Sequence, residues 1–90
     1  MTPEARRKVY RRAIETYGEE AQLWMVIEEM SELAKEICKY KRGKRCSADL
    51  ADEIADVSIM LEQAQMIFGV EDLVRKRRDA KIERLRERLR

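Results

Sequence analysis

The sequence predicts an all-α fold, and three observations carry that prediction. Hydrophobic residues make up 44% of the 90-residue chain and charged residues 42%, a composition of long amphipathic helices rather than of disorder. Only three Gly and one Pro punctuate it, and each stands where a helix should begin or end. Apolar residues recur every three or four positions. A chain of this length makes one domain, residues 1–90, and a domain so small removes a modest share of its surface from water. Self-association into a homodimer or a dimer of dimers is therefore expected.

Thr2 is a good N-cap and Pro3 suits the first helical turn, so a helix should run to about Tyr17 and end at Gly18. Its apolar positions are Val9, Tyr10, Ala13, Ile14 and Tyr17. A second helix from about Glu19 to Lys41 opens on acids and closes on Lys39, Lys41 and Arg42, as the helix dipole favours. At about 100° per residue, Leu23, Ile27, Met30, Ala34 and Ile37 share one face of it, and Glu29 and Glu32 lie on the neighbouring face. After a loop at Gly43 to Cys46, Ser47 can cap a third helix that reaches about Phe68 and breaks at Gly69. Leu50, Ile54, Val57, Leu61, Ala64 and Phe68 form its expected buried face. Met25, Met30, Met60 and Met66 are most simply core residues. A fourth helix should begin near Val70 or Glu71 and continue to the end, with Leu73, Val74, Ile82, Leu85 and Leu89 as a thinner apolar stripe. The short loop between the second and third helices predicts an antiparallel hairpin, the central pair of the bundle.

Composition excludes several chemistries. The chain has no His, which removes Ser-His and Cys-His nucleophiles and the Glu-x-x-His motif of di-iron bundles. Cys38 and Cys46, separated by seven residues, have no His to complete a zinc site and are read as reduced thiols. No stretch has the apolar core of a signal peptide, and the longest apolar run, Leu23 to Ile27, is far short of a membrane span, so a soluble, cytoplasmic protein is expected. A net charge of +2 is too small for general attraction to nucleic acid, although the last sixteen residues carry nine basic groups against three acidic ones.

The acidic residues carry the functional signal. Residues 18–34 and 46–74 contain 12 of the 18 acids and none of the 20 Lys and Arg, whereas a solvated helix face normally mixes signs. Glu29 with Glu32, and Glu53 with Asp56, are each spaced by about one turn, so each pair projects side by side and can share a hard cation. In an antiparallel hairpin, Glu32 and Glu53 stand at similar heights above the loop, and both pairs can face one site. Four such carboxylates repel unless they are protonated or bind cations, and an all-oxygen ligand set favours Mg²⁺, with Mn²⁺ also suitable. The competing account is a solvated acidic face with this spacing.

The segment Glu28-Glu29-Met30-Ser31-Glu32-Leu33, followed beyond residue 52 by Glu53-Ile54-Ala55-Asp56-Val57, resembles the EExxE and ExxD signature of the MazG-like all-α nucleoside triphosphate pyrophosphohydrolases, the group that includes dimeric dUTPases and dCTP pyrophosphatases. The resemblance runs from about Gln22 to Arg84. It implies a four-helix MazG-like bundle that hydrolyses a nucleoside triphosphate to the monophosphate and pyrophosphate. It also implies that Glu29, Glu32, Glu53 and Asp56 ligate Mg²⁺. Glu28, the extra acid of the motif, could orient or deprotonate the attacking water or remain a solvated neighbour.

A triphosphate brings about four negative charges, which side-chain cations help to neutralise. The resemblance points to Arg77, Lys81 and Arg84 on the fourth helix, where Lys81 replaces the Asn expected of the family; a basic solvated face is the competing account. Gln22 stands where the family commonly has a polar residue near the nucleotide, and Trp24 is the one indole that could stack on a base, unless it serves packing. The rival functions are a non-enzymatic nucleic-acid-binding bundle that uses the basic fourth helix and a helical assembly protein.

Overall fold

The computed structural model describes every residue, Met1–Arg90. Four helices and no strand make up the chain: α1 Pro3–Tyr17, α2 Glu19–Lys41, α3 Ser47–Phe68 and α4 Glu71–Arg88. The Thr2 hydroxyl accepts from the Ala5 backbone N–H at 3.1 Å and starts α1. Gly43 and Gly69 stop α2 and α3 in the same way. Both have positive φ, 95° and 66°, and each helix closes with a pair of backbone bonds. After α2, Gly43 N–H donates to Tyr40 O and Lys44 N–H to Lys39 O; after α3, Gly69 N–H donates to Met66 O and Val70 N–H to Gln65 O. This is the Schellman arrangement, which needs a left-handed residue and therefore favours glycine. Ser47 does not cap α3 as expected. It is the first helical residue, the cap position falls on Cys46, and no side chain bonds there. Cys38 and Cys46 are free and exposed.

α2 and α3 make the most extensive helix contact, α1 leans on both, and α4 packs its backbone against α3. Gln22 Nε2 donates to Gln63 Oε1 at 2.7 Å across the α2–α3 contact. Glu29 and Asp56, seven residues further up one helix and seven further down the other, also approach each other. The two helices are thus antiparallel along their whole contact. Arg6–Glu62 at 3.4 Å and Arg7–Glu71 at 3.2 Å tie α1 to α3 and to the start of α4.

The faces turned inward differ from those that apolar periodicity singles out. On α2 the buried or half-buried stripe is Gln22, Val26, Glu29, Leu33, Glu36 and Tyr40. Four residues of the expected apolar face, Ile27, Met30, Ala34 and Ile37, are exposed, and only Leu23 is half-buried. On α3, Val57 is buried and Leu50 and Ala64 half-buried as expected, but Ile54, Leu61 and Phe68 are exposed and Met60 and Gln63 fill the contact. On α1 only Tyr10 is buried, while Val9 and Tyr17 face out. Of the methionines, Met60 is buried, Met25 and Met66 half-buried, and Met30 exposed. The physical reason is competition. Apolar periodicity shows which stripe gains most from leaving water, but several stripes compete here, and the single chain covers the one that lets α1, α2 and α3 meet.

Only five of the 90 residues are buried, and the apolar ones among them are Tyr10, Val57 and Met60. After Val74, every residue of α4 is exposed. Its apolar side, with Leu73, Ile82 and Leu85 about half in water, is unpartnered within the chain.

Candidate metal centre

The antiparallel register places acids opposite acids. Glu29 on α2 and Glu53 and Asp56 on α3 each offer a carboxylate oxygen, and these oxygens lie within 4.8 Å of one another. Glu29 and Glu53 are half-buried and Asp56 is exposed, so the cluster opens to solvent on one side of the helix pair. Glu53 Oε2 is buried without a hydrogen-bond partner, an arrangement that costs free energy unless a proton or a cation satisfies it.

Electrostatics agree with the geometry. Burial first, then the charges of Asp56, Glu28 and Glu32, push the Glu29 carboxyl above its ordinary value of 4.5. The Glu53 carboxyl is raised as well, by burial first and then by Glu29, Asp56, Glu32 and Glu36. Each perturbing charge named is negative, and none of Glu29, Glu53 and Asp56 forms an ion pair. The arrangement can concentrate a proton or a hard cation between two helices.

Of the four acids expected to ligate, the structure brings Glu29, Glu53 and Asp56 together. Glu32 is exposed one turn from Glu29, close enough for its charge to act on both Glu29 and Glu53. Glu28 is exposed and acts on Glu29. Glu36 belongs to the same electrostatic group, although no motif pointed to it. Its side chain is mostly buried, it raises Glu53, and it meets Lys39 at 3.8 Å. The available signal was its spacing, one turn beyond Glu32 on an acid-rich helix.

The residues considered for substrate contact lie elsewhere. Gln22 is buried and its amide nitrogen is engaged by Gln63, so it serves the helix contact. Trp24 is 62% exposed and is not a core residue of the single chain. Arg77, Lys81 and Arg84 are exposed on α4, which does not touch α2. The fourth helix departs from the Phe68 end of α3, twelve residues or roughly 18 Å along the helix from Asp56.

Fold and site together define an all-α protein with a carboxylate cluster held between two antiparallel helices. No family model matches the chain, and neither a curated protein nor a solved structure matches it.

Proposed function

We propose that this protein is a Mg²⁺-dependent nucleoside triphosphate pyrophosphohydrolase of the MazG-like kind, with the α2–α3 pair as the centre of its bundle. The observation that carries the reading is the convergence of Glu29, Glu53 and Asp56, with Glu53 Oε2 buried and unbonded. Their donor set is three carboxylates, with Glu32 beside it, which fits a hard divalent cation, Mg²⁺ or Mn²⁺. Such a cation supplies Lewis acidity toward a phosphate chain and makes water more acidic.

The chain's own residues supply the rest. Glu29 and Glu53, raised in pKa by burial and by the neighbouring acids, would hold the ion from two helices. Asp56 and Glu32, on the open side, complete the carboxylate set and face the incoming triphosphate. Glu28, exposed beside Glu29, takes the proton of the attacking water. Hydrolysis breaks the bond between the α and β phosphates and leaves a nucleoside monophosphate and pyrophosphate. Arg77, Lys81 and Arg84 contribute to phosphate binding only where α4 comes near an acidic cluster, which the single chain does not achieve. The reading accordingly includes assembly into a homodimer or dimer of dimers. A cytoplasmic setting suits the substrate, and no helix is long and apolar enough to cross a membrane.

The test is pyrophosphate release over a panel of standard and modified nucleoside triphosphates with Mg²⁺ or Mn²⁺. Formation of monophosphate from at least one of them is expected. No product above a metal-free control would overturn the reading. The exposed basic α4 favours the nucleic-acid alternative, which predicts steeply salt-dependent binding to DNA or RNA that is unaffected by loss of Glu53.

A further inference from the structure

Charge changes sign along the open side of the α2–α3 pair. Glu28 and Glu32 on α2, and Asp52 and Asp56 on α3, are rotated in the same sense from the inward stripes of Glu29 and Glu53. Because the helices are antiparallel, that rotation brings all four to one side. Lys39 continues this side of α2. It stands seven residues beyond Glu32, within about 20° of it around the helix and roughly 10 Å nearer the loop. Its ammonium meets Glu36 Oε2 at 3.8 Å, and the Glu36 side chain is only 15% exposed. Glu36 in turn is one of the acids whose charge reaches Glu53. No other Lys or Arg forms an ion pair with an acid of this group.

From Lys39 onward the hairpin tip is basic. Residues 39–45 hold five Lys and Arg and no acid, and Lys41, Arg42, Lys44 and Arg45 have no ion pair. A helix dipole favours cations in the last turn, which accounts for Lys41. It does not account for Lys44 and Arg45 beyond the helix end, nor for the Lys39 ammonium turning back toward the acids. At 3.8 Å the contact with Glu36 is too long for a hydrogen bond, and it leaves the Lys39 side chain 43% exposed. The ammonium is thus held near the acids while its donors stay free for a second anion. Lys35, the other basic residue of this part of α2, is exposed and about 120° around the helix from Glu29.

We propose that Lys39 binds the terminal phosphates of the triphosphate, so that the phosphate chain lies along the open side of the pair. Its α–β bond then stands at Glu29, Glu53 and Asp56, its free end points to the hairpin loop, and its nucleoside points toward Gln22 and Gln63. The identity of the anion rests on the pyrophosphohydrolase reading. When water attacks the α phosphorus, the bond to the bridging oxygen breaks and its electron pair leaves with the β phosphate. An ammonium already beside that group offsets the added charge without having to move into place. The unpaired cations of the tip raise the local concentration of the anion, which the acids alone would repel. This contact needs neither α4 nor a second chain.

Calorimetric titration of the full chain with inorganic pyrophosphate in the presence of Mg²⁺ tests it, on the wild type, Lys39→Met and Lys39→Arg. Lys39→Met should bind pyrophosphate roughly 10- to 100-fold more weakly, the loss expected of a hydrogen bond to a charged group, and Lys39→Arg should recover most of it. Titration with Mg²⁺ alone separates contact from support. Loss of a cation beside the acids should leave Mg²⁺ binding as tight as in the wild type or tighter, whereas a residue that merely supports the acids would weaken Mg²⁺ and pyrophosphate together. Lys8→Met, exposed on α1, controls for net charge and should bind pyrophosphate as the wild type does. A wild type that does not bind pyrophosphate, a Lys39→Met variant that binds it unchanged, a joint loss of Mg²⁺ binding, or an equal loss in Lys8→Met would each overturn the assignment. Turnover is scored separately. Lys39-dependent pyrophosphate binding with no monophosphate formed from any nucleotide would keep this subsite and overturn the pyrophosphohydrolase reading, and turnover unaffected by Lys39→Met would do the reverse.

Discussion

The α2–α3 pair and α4 handle charge in opposite ways. In the pair, Glu29, Glu53 and Asp56 face one another between helices with no Lys or Arg in an ion pair with any of them. In α4 the charges are of both signs, stand in water, and meet within one turn: Arg75–Asp72 at 3.2 Å, Arg86–Glu83 at 3.1 Å and Arg90–Glu87, just past the helix end, at 3.5 Å. Exposed pairs of this type contribute about 0.3 to 0.5 kcal/mol each and keep a helix soluble and formed. Helix formation and solubility are sufficient to explain those residues. The inward acids oppose folding of the cation-free chain, and stability offers no reason for them, which is why they, and not the larger number of charges on α4, carry the functional argument.

The largest expected effect comes from changing an inward acid. Glu53→Gln preserves shape and removes one negative charge, so Mg²⁺-dependent turnover should fall roughly 100-fold or more, as loss of a metal contact does. Melting in EDTA should show the variant as stable as the wild type or more so. A variant that keeps full activity, or one that unfolds without metal, would move Glu53 from the site to the scaffold.

Next in size is the buried amide pair that holds the two helices in register. Gln22→Ala leaves the Gln63 carbonyl oxygen without its partner and should cost about 1 to 3 kcal/mol in urea unfolding. Replacing both by Leu should recover most of that loss, since both polar groups leave the contact together. A Gln22→Ala variant with unchanged stability would show that water satisfies Gln63 and that the register is held elsewhere.

A smaller effect separates the regions by pH. Glu29 and Glu53 have folded-state values raised above 4.5, so their protonated forms favour the fold. Their contribution is fully present below about pH 4.5 and is lost as pH rises through the raised values. Thermal melts in EDTA should therefore show the wild type losing stability relative to Glu53→Gln as pH moves from the unshifted carboxyl range toward neutrality. Mg²⁺ should narrow that difference by binding the folded site. A difference constant with pH would mean that the cluster does not titrate as a group.

The smallest effect belongs to α4. Arg86→Ala removes one exposed pair and should change stability by no more than about 0.5 kcal/mol, with turnover unaltered. A loss above 1.5 kcal/mol would reveal that the end of α4 is packed against something in the assembled protein.

Much of the local structure was legible from residues alone. Thr2 with Pro3, and Gly18, Gly43 and Gly69, placed the helix ends because capping and left-handed geometry are local and depend on few residues. The missing Ser47 cap shows the limit, since a neighbouring residue took the cap position. Spacing alone also put Glu29 beside Glu32 and Glu53 beside Asp56, because the helical repeat determines such neighbours. Tertiary structure decided which stripe of each helix turned inward. Leu23 to Ile37 is the more apolar stripe of α2, yet the chain buries Gln22, half-buries Val26, Glu29 and Leu33, and leaves Ile27 and Met30 in water. Tertiary structure alone also separated Arg77, Lys81 and Arg84 from the acids and closed the Gln22–Gln63 bond. Periodicity is a property of one helix, whereas burial and the meeting of distant residues depend on what each helix is set against, and that is decided by all the surfaces together.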